Sequence, residues 1–159
     1  MRYDPNIHHR RSIRLKGYDY SQGGAYFITI CIEGRLSLLG SIAGEELRHT
    51  EAGEMVSRVW AEMPVNYPGI DVDAFVVMPD HFHGMILIEP PALALPDAVH
   101  RLKSLTTALY RRGVYDRSWP AFAGRLWQRN YFERIIRDEA ELVETRQYIE
   151  HNPFDRDVP

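Results

Sequence analysis

Two apolar stretches separated by a Pro-Asp dipeptide constrain this chain more than any other feature. Residues 70–78 and 81–88 are rich in branched and aromatic side chains, and only Pro79 and Asp80 lie between them. Both residue types favour tight turns, because proline fixes φ and the aspartate side chain bonds to nearby backbone amides. The pattern therefore predicts two strands joined by a short turn.

The rest of the chain predicts an α+β protein. Strands are expected at 25–32, 36–42 and 126–136, which are β-branched and aromatic. A helix is expected at 50–63, ended or kinked by Pro64, and another at 97–112. Asp138 is the expected N-cap of a third helix, which closes at Asn152-Pro153. This order favours a ferredoxin-like antiparallel sheet with helices packed on one face, plus a C-terminal helix.

The size and composition indicate a single domain over 1–159, with 1–24 as a basic N-terminal arm. The chain is 45% hydrophobic and 26% charged, and it has one cysteine, Cys31. One thiol excludes a disulfide framework within the chain and any four-cysteine zinc site. No apolar run is long enough to span a membrane, and the N-terminus lacks the apolar stretch of a secretory signal. We therefore expect a cytoplasmic protein without a membrane partner.

The charge is unevenly distributed although the net charge is only −3. Five of the 19 basic residues lie in 2–16 and nine lie in 101–137. Such a chain can present a basic face to a polyanion while it remains acidic overall. Solvated helix faces with salt bridges would give the same pattern, so charge alone leaves both interpretations open.

His81 and His83 form the strongest local signal for chemistry. Residues two apart on a strand point to the same face, so the two imidazoles are expected roughly 6–7 Å apart along it. Two such side chains can share one metal ion. The alternative is a pair of surface histidines on a half-exposed strand. Asp80 is either a partner that supports His81 or a turn former, and its position in the turn favours the second role.

Tyr148 and Asn152 lie one helical turn apart in the predicted last helix and share a face. Tyr148 lies at the edge of an apolar stripe, where a tyrosine is commonly a packing residue with its hydroxyl in water. An asparagine before a proline commonly ends a helix. Taken alone, each residue therefore has a purely structural explanation.

The ordered set of motifs resembles the REP-associated tyrosine transposases, a group within the single-tyrosine HUH endonucleases of simple bacterial insertion sequences. The matching segments are Pro-Asp-His-Phe-His at 79–83, Trp-Gln-Arg at 127–129 and Tyr-Ile-Glu-His-Asn-Pro at 148–153. Arg-Arg-Ser-Ile-Arg-Leu at 10–15 and Lys-Ser-Leu-Thr-Thr at 103–107 also resemble this group. The likeness extends over nearly the whole chain.

The resemblance implies a chemistry and a set of site residues. His81, His83 and the amide of Asn152 would hold Mg2+ or Mn2+, which polarises a phosphate of single-stranded DNA. Tyr148 would attack that phosphate and form a covalent 5′-phosphotyrosine. The DNA would be single-stranded or hairpin-forming, bound by a monomer or a homodimer. The residues expected to contact DNA are Arg10, Arg11, Arg14, Lys16, Lys103, Arg111 and Arg112.

Three other functions remain open at this stage. One is a non-cleaving, domesticated DNA-binding regulator on the same fold. Another is an RNA-binding module in which Tyr26 and Phe27 stack on bases. The third is a small metal-dependent hydrolase, which would form no covalent tyrosine adduct.

Overall fold

The computed structural model describes residues 23–151 of the chain. A four-stranded antiparallel sheet has the order β4-β5-β1-β6, and β2 and β3 form a separate hairpin. The strands are β1 Gly24–Cys31, β2 Gly40–Ala43, β3 Glu46–His49, β4 Ile70–Met78, β5 His81–Ile88 and β6 Phe132–Ile136. The helices are α1 Glu51–Asn66, α2 Leu95–Arg117 and α3 Glu139–His151. The predicted α+β class is confirmed.

The two faces of the sheet are covered by different helices. Tyr26, Ile28 and Phe82 belong to the main core, which also contains the apolar side chains of α1 and α2. Met85 points to the opposite face, where it packs against Ile149 of α3 in a second, smaller cluster. The C-terminal helix therefore lies on the other side of the sheet from α1 and α2. His81 and His83 share the parity of Met85 on β5, so they belong to the α3 face.

The strands β4 and β5 have the predicted bounds, with Pro79 and Asp80 as the turn between them. Across the sheet, β5 also pairs with β1, so that Cys31 lies opposite His81 and Thr29 lies opposite His83. Opposite residues in an antiparallel pair point to the same face. This register therefore places a side chain of β1 next to each histidine.

Two predicted strands are wrong in extent. Of the strand expected at 36–42, only residues 40–42 belong to a strand, β2, and β2 pairs with β3 because both edges of β1 are already occupied by β5 and β6. Within 126–136 only Phe132–Ile136 joins the sheet, while Trp127 makes an isolated bridge to Ile32. The Trp127 indole N–H donates to the Thr106 hydroxyl of α2 at 2.9 Å.

Two predicted helix ends also move. Helix α1 continues past Pro64 to Asn66. Proline lacks a backbone N–H, but the position lies in the last turn of the helix, and the Tyr67 N–H still donates to the Met63 carbonyl. The second helix runs past residue 112 to Arg117. Gly113 is buried there, and an added Cβ would lie 2.2 Å from the Trp119 ring, so the glycine lets that indole pack on the helix.

None of the helices within residues 23–151 combines the length and apolar composition needed to cross a bilayer. The predicted basic residues Arg10, Arg11, Arg14 and Lys16, and the predicted metal ligand Asn152, lie outside the described residues.

Candidate functional site

The histidine pair lies at the start of β5 and is buried. His81 and His83 are 7% and 2% exposed, so the surface-histidine alternative is wrong. Their Nε2 atoms are 3.1 Å apart, and the two rings lie nearly perpendicular at a centroid distance of 4.6 Å. Both Nε2 atoms therefore point at one common position.

The remaining nitrogen of each imidazole has its own partner. His81 Nδ1 lies 2.6 Å from Asp80 Oδ1, and His83 Nδ1 lies 2.8 Å from Thr29 Oγ1. Arg35 Nε donates to the other oxygen of Asp80 at 2.9 Å. Asp80 thus orients His81 in addition to forming the turn, which corrects the interpretation favoured from the sequence. A second partner on Nδ1 is the usual arrangement of metal-binding histidines.

Burial keeps both imidazoles uncharged. Burial first, and the neighbouring His81 second, lower the pKa of His83 to about 3. Burial also lowers the pKa of His81, although the hydrogen bond to Asp80 acts in the opposite direction. For Asp80 itself, burial acts to raise the pKa, but hydrogen bonds from His81 and Arg35 hold it below its usual value. The pair is therefore neutral at pH 7, the form in which histidine binds metals.

This burial predicts a pH dependence of stability without added metal. Unfolded histidine takes up a proton near pH 6.5, whereas folded His83 does so only near pH 3. Stability present above pH 6.5 is therefore lost as the pH falls between these values, by up to about 1.4 kcal/mol per pH unit for one group. Urea unfolding at several pH values measures this slope. His83→Ala should flatten it, and an unchanged slope would contradict a buried, neutral His83.

Tyr148 lies on α3 beside the histidine pair of the same chain. Its ring is half-buried, with its centroid 5.8 Å from that of His83 in an edge-on arrangement. Phe27 supports both rings, since it stacks on His83 at 5.3 Å and meets Tyr148 edge-on at 5.7 Å. The edge-of-stripe position predicted for Tyr148 is confirmed. Its ring lies on the same side of the sheet as the two Nε2 atoms.

Polar contacts hold α3 in this place. Arg146 forms a two-pronged ion pair with Asp73 of β4, at 2.9 and 2.6 Å. Arg134 of β6 donates to the buried Thr145 hydroxyl at 2.9 Å. The Asp138 carboxylate accepts from the Glu141 N–H, as expected of the predicted N-cap. Contacts with two strands therefore fix the helix that carries Tyr148.

The site offers two nitrogen ligands, and the residues fit a divalent ion in part. Two neutral imidazoles with converging Nε2 atoms and engaged Nδ1 atoms are a suitable donor pair. Within residues 23–151 there is no cluster of three His, Cys, Asp or Glu side chains that could hold a metal. Asn152, one residue beyond the described part of α3, is the predicted third ligand.

A basic groove of about 780 Å³ lies between α2 and residues 124–129. Its described lining includes Lys103, Arg111, Arg125 and Arg129 and no acidic side chain. The Lys103 ammonium donates to the Gln128 and Arg129 carbonyls at 2.7 and 2.9 Å, so it also shapes the groove wall. Arg112, the neighbour of Arg111, is exposed but is not part of this lining.

One wall of the groove is bonded to β1, the strand beside the histidines. Gln128 N–H donates to the Cys31 carbonyl at 2.8 Å, and Cys31 lies opposite His81 in the sheet.

Sequence analysis did not identify several residues of this region. Thr29 is separated from His83 by 54 residues, and Arg35 from Asp80 by 45, so no local pattern joins them. In the sequence, Arg125 stands out only as a member of the basic stretch, whereas Arg129 also belongs to the Trp-Gln-Arg motif. By contrast, Tyr26 is fully buried in the main core, which removes it as a base-stacking platform and argues against the RNA-binding alternative.

Comparison with known protein families identifies the class of this fold and site. Residues 47–152, well over half of the chain, match the family of transposases described as IS200-like. The chain therefore belongs to the IS200-like transposase family. The resemblance expected from its motifs is confirmed.

Two relatives match most of the chain. An uncharacterized protein of Haemophilus influenzae is 35% identical over 176 residues, covering 96% of this chain and 93% of the relative. A second protein of that organism, provisionally named a REP-associated tyrosine transposase, is 26% identical over 141 residues. The match covers 85% of this chain and 73% of the relative.

Two solved structures share the fold. One is a REP-associated tyrosine transposase bound to a REP hairpin, with a TM-score of 0.65 and 20% identity, covering 89% of this chain and 73% of that chain. The other is a provisionally named transposase from Deinococcus radiodurans R1, with a TM-score of 0.52 and 22% identity, covering 87% of this chain and 95% of that chain.

Proposed function

We propose that this transposase-family protein is a metal-dependent endonuclease and strand transferase for single-stranded DNA, acting through a covalent 5′-phosphotyrosine. The observation that supports this most directly is the position of the Tyr148 ring, 5.8 Å from the buried imidazole of His83. A phenol beside a potential metal site can act as a nucleophile toward a phosphate that the metal binds.

In this proposal Tyr148 is the nucleophile, and His81, His83 and Asn152 hold Mg2+ or Mn2+. When bound, the ion withdraws charge from the phosphate oxygens. The Tyr148 oxygen forms a bond to phosphorus as the bond from phosphorus to the 3′ oxygen breaks. The phenol loses its proton and the departing 3′ oxygen gains one, which leaves a free 3′-hydroxyl and a 5′-phosphotyrosine. The phosphodiester energy stays in the covalent link, so a second 3′-hydroxyl can reverse the step and join a new strand.

Hairpin-forming repeat DNA is the proposed substrate. The solved relative with the same fold is bound to a REP hairpin, and this chain has a basic groove whose wall is bonded to β1 beside His81. Phosphate contacts position a nucleic acid and supply most of its affinity. The proposed contacts are Arg10, Arg11, Arg14, Lys16, Lys103, Arg111 and Arg112, with Arg125 and Arg129 added from the groove.

We expect the double variant Arg111→Gln/Arg129→Gln to bind hairpin DNA about tenfold more weakly at moderate salt. Each lost phosphate contact to a single strand should reduce the slope of log affinity against log salt by about 0.7. Fluorescence anisotropy at several salt concentrations measures both quantities. These arginines test the groove better than Lys103, because the Lys103 ammonium also holds two backbone carbonyls.

Arg58→Gln on α1 is the matched control, because Arg58 is exposed and is not part of the groove lining. It should change neither affinity nor slope. If the groove variant behaved like Arg58→Gln, the proposed DNA path would be wrong.

One chain is proposed to be sufficient for the reaction. Tyr148 and His83 of the same chain are in contact. The Arg146–Asp73 ion pair holds α3, the helix that carries Tyr148, against β4. A monomer or a homodimer could both use this arrangement, and the tyrosine would act on the metal site of its own chain. Sedimentation with and without DNA measures the oligomeric state.

The function is tested with end-labelled hairpin DNA that carries a single-stranded flank. Incubation with Mn2+ should yield a protein–DNA band that survives a denaturing gel, together with a released 3′-hydroxyl fragment, and EDTA should abolish both. Cleavage without the covalent band would indicate a metal-dependent hydrolase. Hairpin binding with no cleavage at all would indicate the non-cleaving regulator.

A further inference from the structure

The Thr29 hydroxyl of β1 is a hydrogen-bond partner of His83, and a hydroxyl can either donate or accept a hydrogen bond. It is buried and lies 2.8 Å from His83 Nδ1. Asp80, the matching partner of His81, differs in kind, because its carboxylate is paired with Arg35 and can only accept. The two histidines are therefore held by partners with different hydrogen-bonding abilities.

These partners determine where the protons lie in the metal-free pair. Asp80 accepts, so the proton of neutral His81 is on Nδ1 and its Nε2 carries a lone pair. The Nε2 atoms are 3.1 Å apart, and this contact needs one donor, which must be His83 Nε2–H. Neutral His83 then has a lone pair on Nδ1, and the Thr29 hydroxyl donates to it.

A metal ion requires a different arrangement. Both Nε2 atoms must offer lone pairs to the ion, so His83 has to carry its proton on Nδ1 instead. The proton count of the pair stays the same, because His83 loses the proton at Nε2 and gains one at Nδ1 through solvent. Thr29 must then accept from Nδ1–H after its hydroxyl rotates. A backbone carbonyl or a carboxylate at this position could serve only the metal-bound state.

We propose that Thr29 is a positioning residue that holds His83 in both tautomers, donating to Nδ1 in the metal-free site and accepting from Nδ1–H when Nε2 binds the ion. The inference rests on the metal-binding role proposed above for the histidine pair. Thr29 contacts neither DNA nor the ion in this scheme and acts only through His83.

The test compares three variants by Mn2+ affinity, measured from the electron paramagnetic resonance signal of free Mn2+. Thr29→Val keeps the shape of the side chain but removes the hydroxyl, and it should weaken Mn2+ binding about tenfold or more. Thr29→Ser restores the hydroxyl and should stay close to wild type. Ile28→Val, on the same strand but in the main core, controls for a general loss of stability.

A second readout needs neither metal nor activity. Nitrogen-15 NMR of labelled histidines distinguishes protonated from unprotonated ring nitrogens, and the His81→Ala and His83→Ala variants assign the signals. Metal-free wild type should show the Nδ1–H form for His81 and the Nε2–H form for His83. Addition of diamagnetic Mg2+ or Zn2+ should convert His83 to the Nδ1–H form.

The outcomes separate this inference from the proposed function. If wild type binds Mn2+ at a site that His83→Ala abolishes, while Thr29→Val binds equally well, the role of Thr29 is wrong and the metal site stands. An Nδ1–H form of His83 before metal is added would also overturn the role of Thr29. If wild type binds no Mn2+ at the histidine pair, both proposals fail.

Discussion

Tyr148→Phe is expected to abolish the covalent protein–DNA adduct and to reduce strand cleavage by at least about 10³-fold. The change removes the proposed nucleophilic oxygen and leaves the aromatic ring, which packs against Phe27 and His83. Hairpin affinity should be unchanged because the phosphate contacts lie elsewhere. Stability should change by about 1 kcal/mol or less, since a single hydroxyl of a half-buried ring is lost. Denaturing gels, anisotropy and thermal unfolding measure the three quantities.

Tyr131→Phe is the matched control. Among the other tyrosines of the sequence, Tyr131 is the strongest competitor, because it lies close to the Trp-Gln-Arg motif at 127–129 and its basic neighbours. It is buried in the main core, which contains the apolar side chains of α1 and α2 and not those of the histidine face. Tyr131→Phe should therefore form adduct at close to the wild-type rate. A Tyr148→Phe protein that cleaves as fast as Tyr131→Phe would rule out Tyr148 as the nucleophile.

His83→Ala is expected to abolish Mn2+ binding at the pair and to lower cleavage by about 10³-fold. A bound metal supplies several kcal/mol of charge stabilisation in the transition state, and each 1.4 kcal/mol corresponds to a factor of about ten. His81→Ala should have a similar effect, because the two Nε2 atoms point at one position. Hairpin affinity should stay within about threefold of wild type, since affinity comes mainly from phosphate contacts outside the pair.

His49→Ala serves as the control for loss of a hydrogen-bonded histidine elsewhere in the fold. His49 Nε2 bonds to the Val77 carbonyl at 2.9 Å and lies outside the proposed site. This variant can lose stability, but the folded fraction should cleave DNA and bind Mn2+ normally. If His83→Ala cleaved DNA as fast as His49→Ala, the proposed role of the metal in cleavage would be wrong.

The bounds of β5, which carries the histidines, and of its partner β4 could be predicted from the sequence without error. Two apolar runs with a Pro-Asp turn between them leave little freedom, and alternation then fixes His81 and His83 on one face. Their burial could not be predicted, because alternation does not say which face a helix covers. Here α3 covers it, on the side of the sheet opposite α1 and α2.

The support around the histidines depends on strand register and could not be read from local sequence. Thr29 reaches His83 only because β1 pairs with β5 in one register, and a shift of one residue would turn its side chain to the other face. The contacts of a charged side chain are equally hard to predict from local sequence, as Lys103 shows. Its position in a basic helix predicted a phosphate contact, yet its ammonium also bonds to two carbonyls of the adjacent loop.

The most direct test of the proposed function is the identity of the residue that becomes attached to DNA. Wild-type protein is incubated with Mn2+ and hairpin DNA, the adduct is digested with protease and nuclease, and the nucleotide-bearing peptide is sequenced by mass spectrometry. The proposed mechanism predicts a 5′-phosphate linked to Tyr148, with the peptide absent from Tyr148→Phe and from His83→Ala. A link at Tyr131 or at any other residue, or cleaved DNA with no linked peptide, would contradict it.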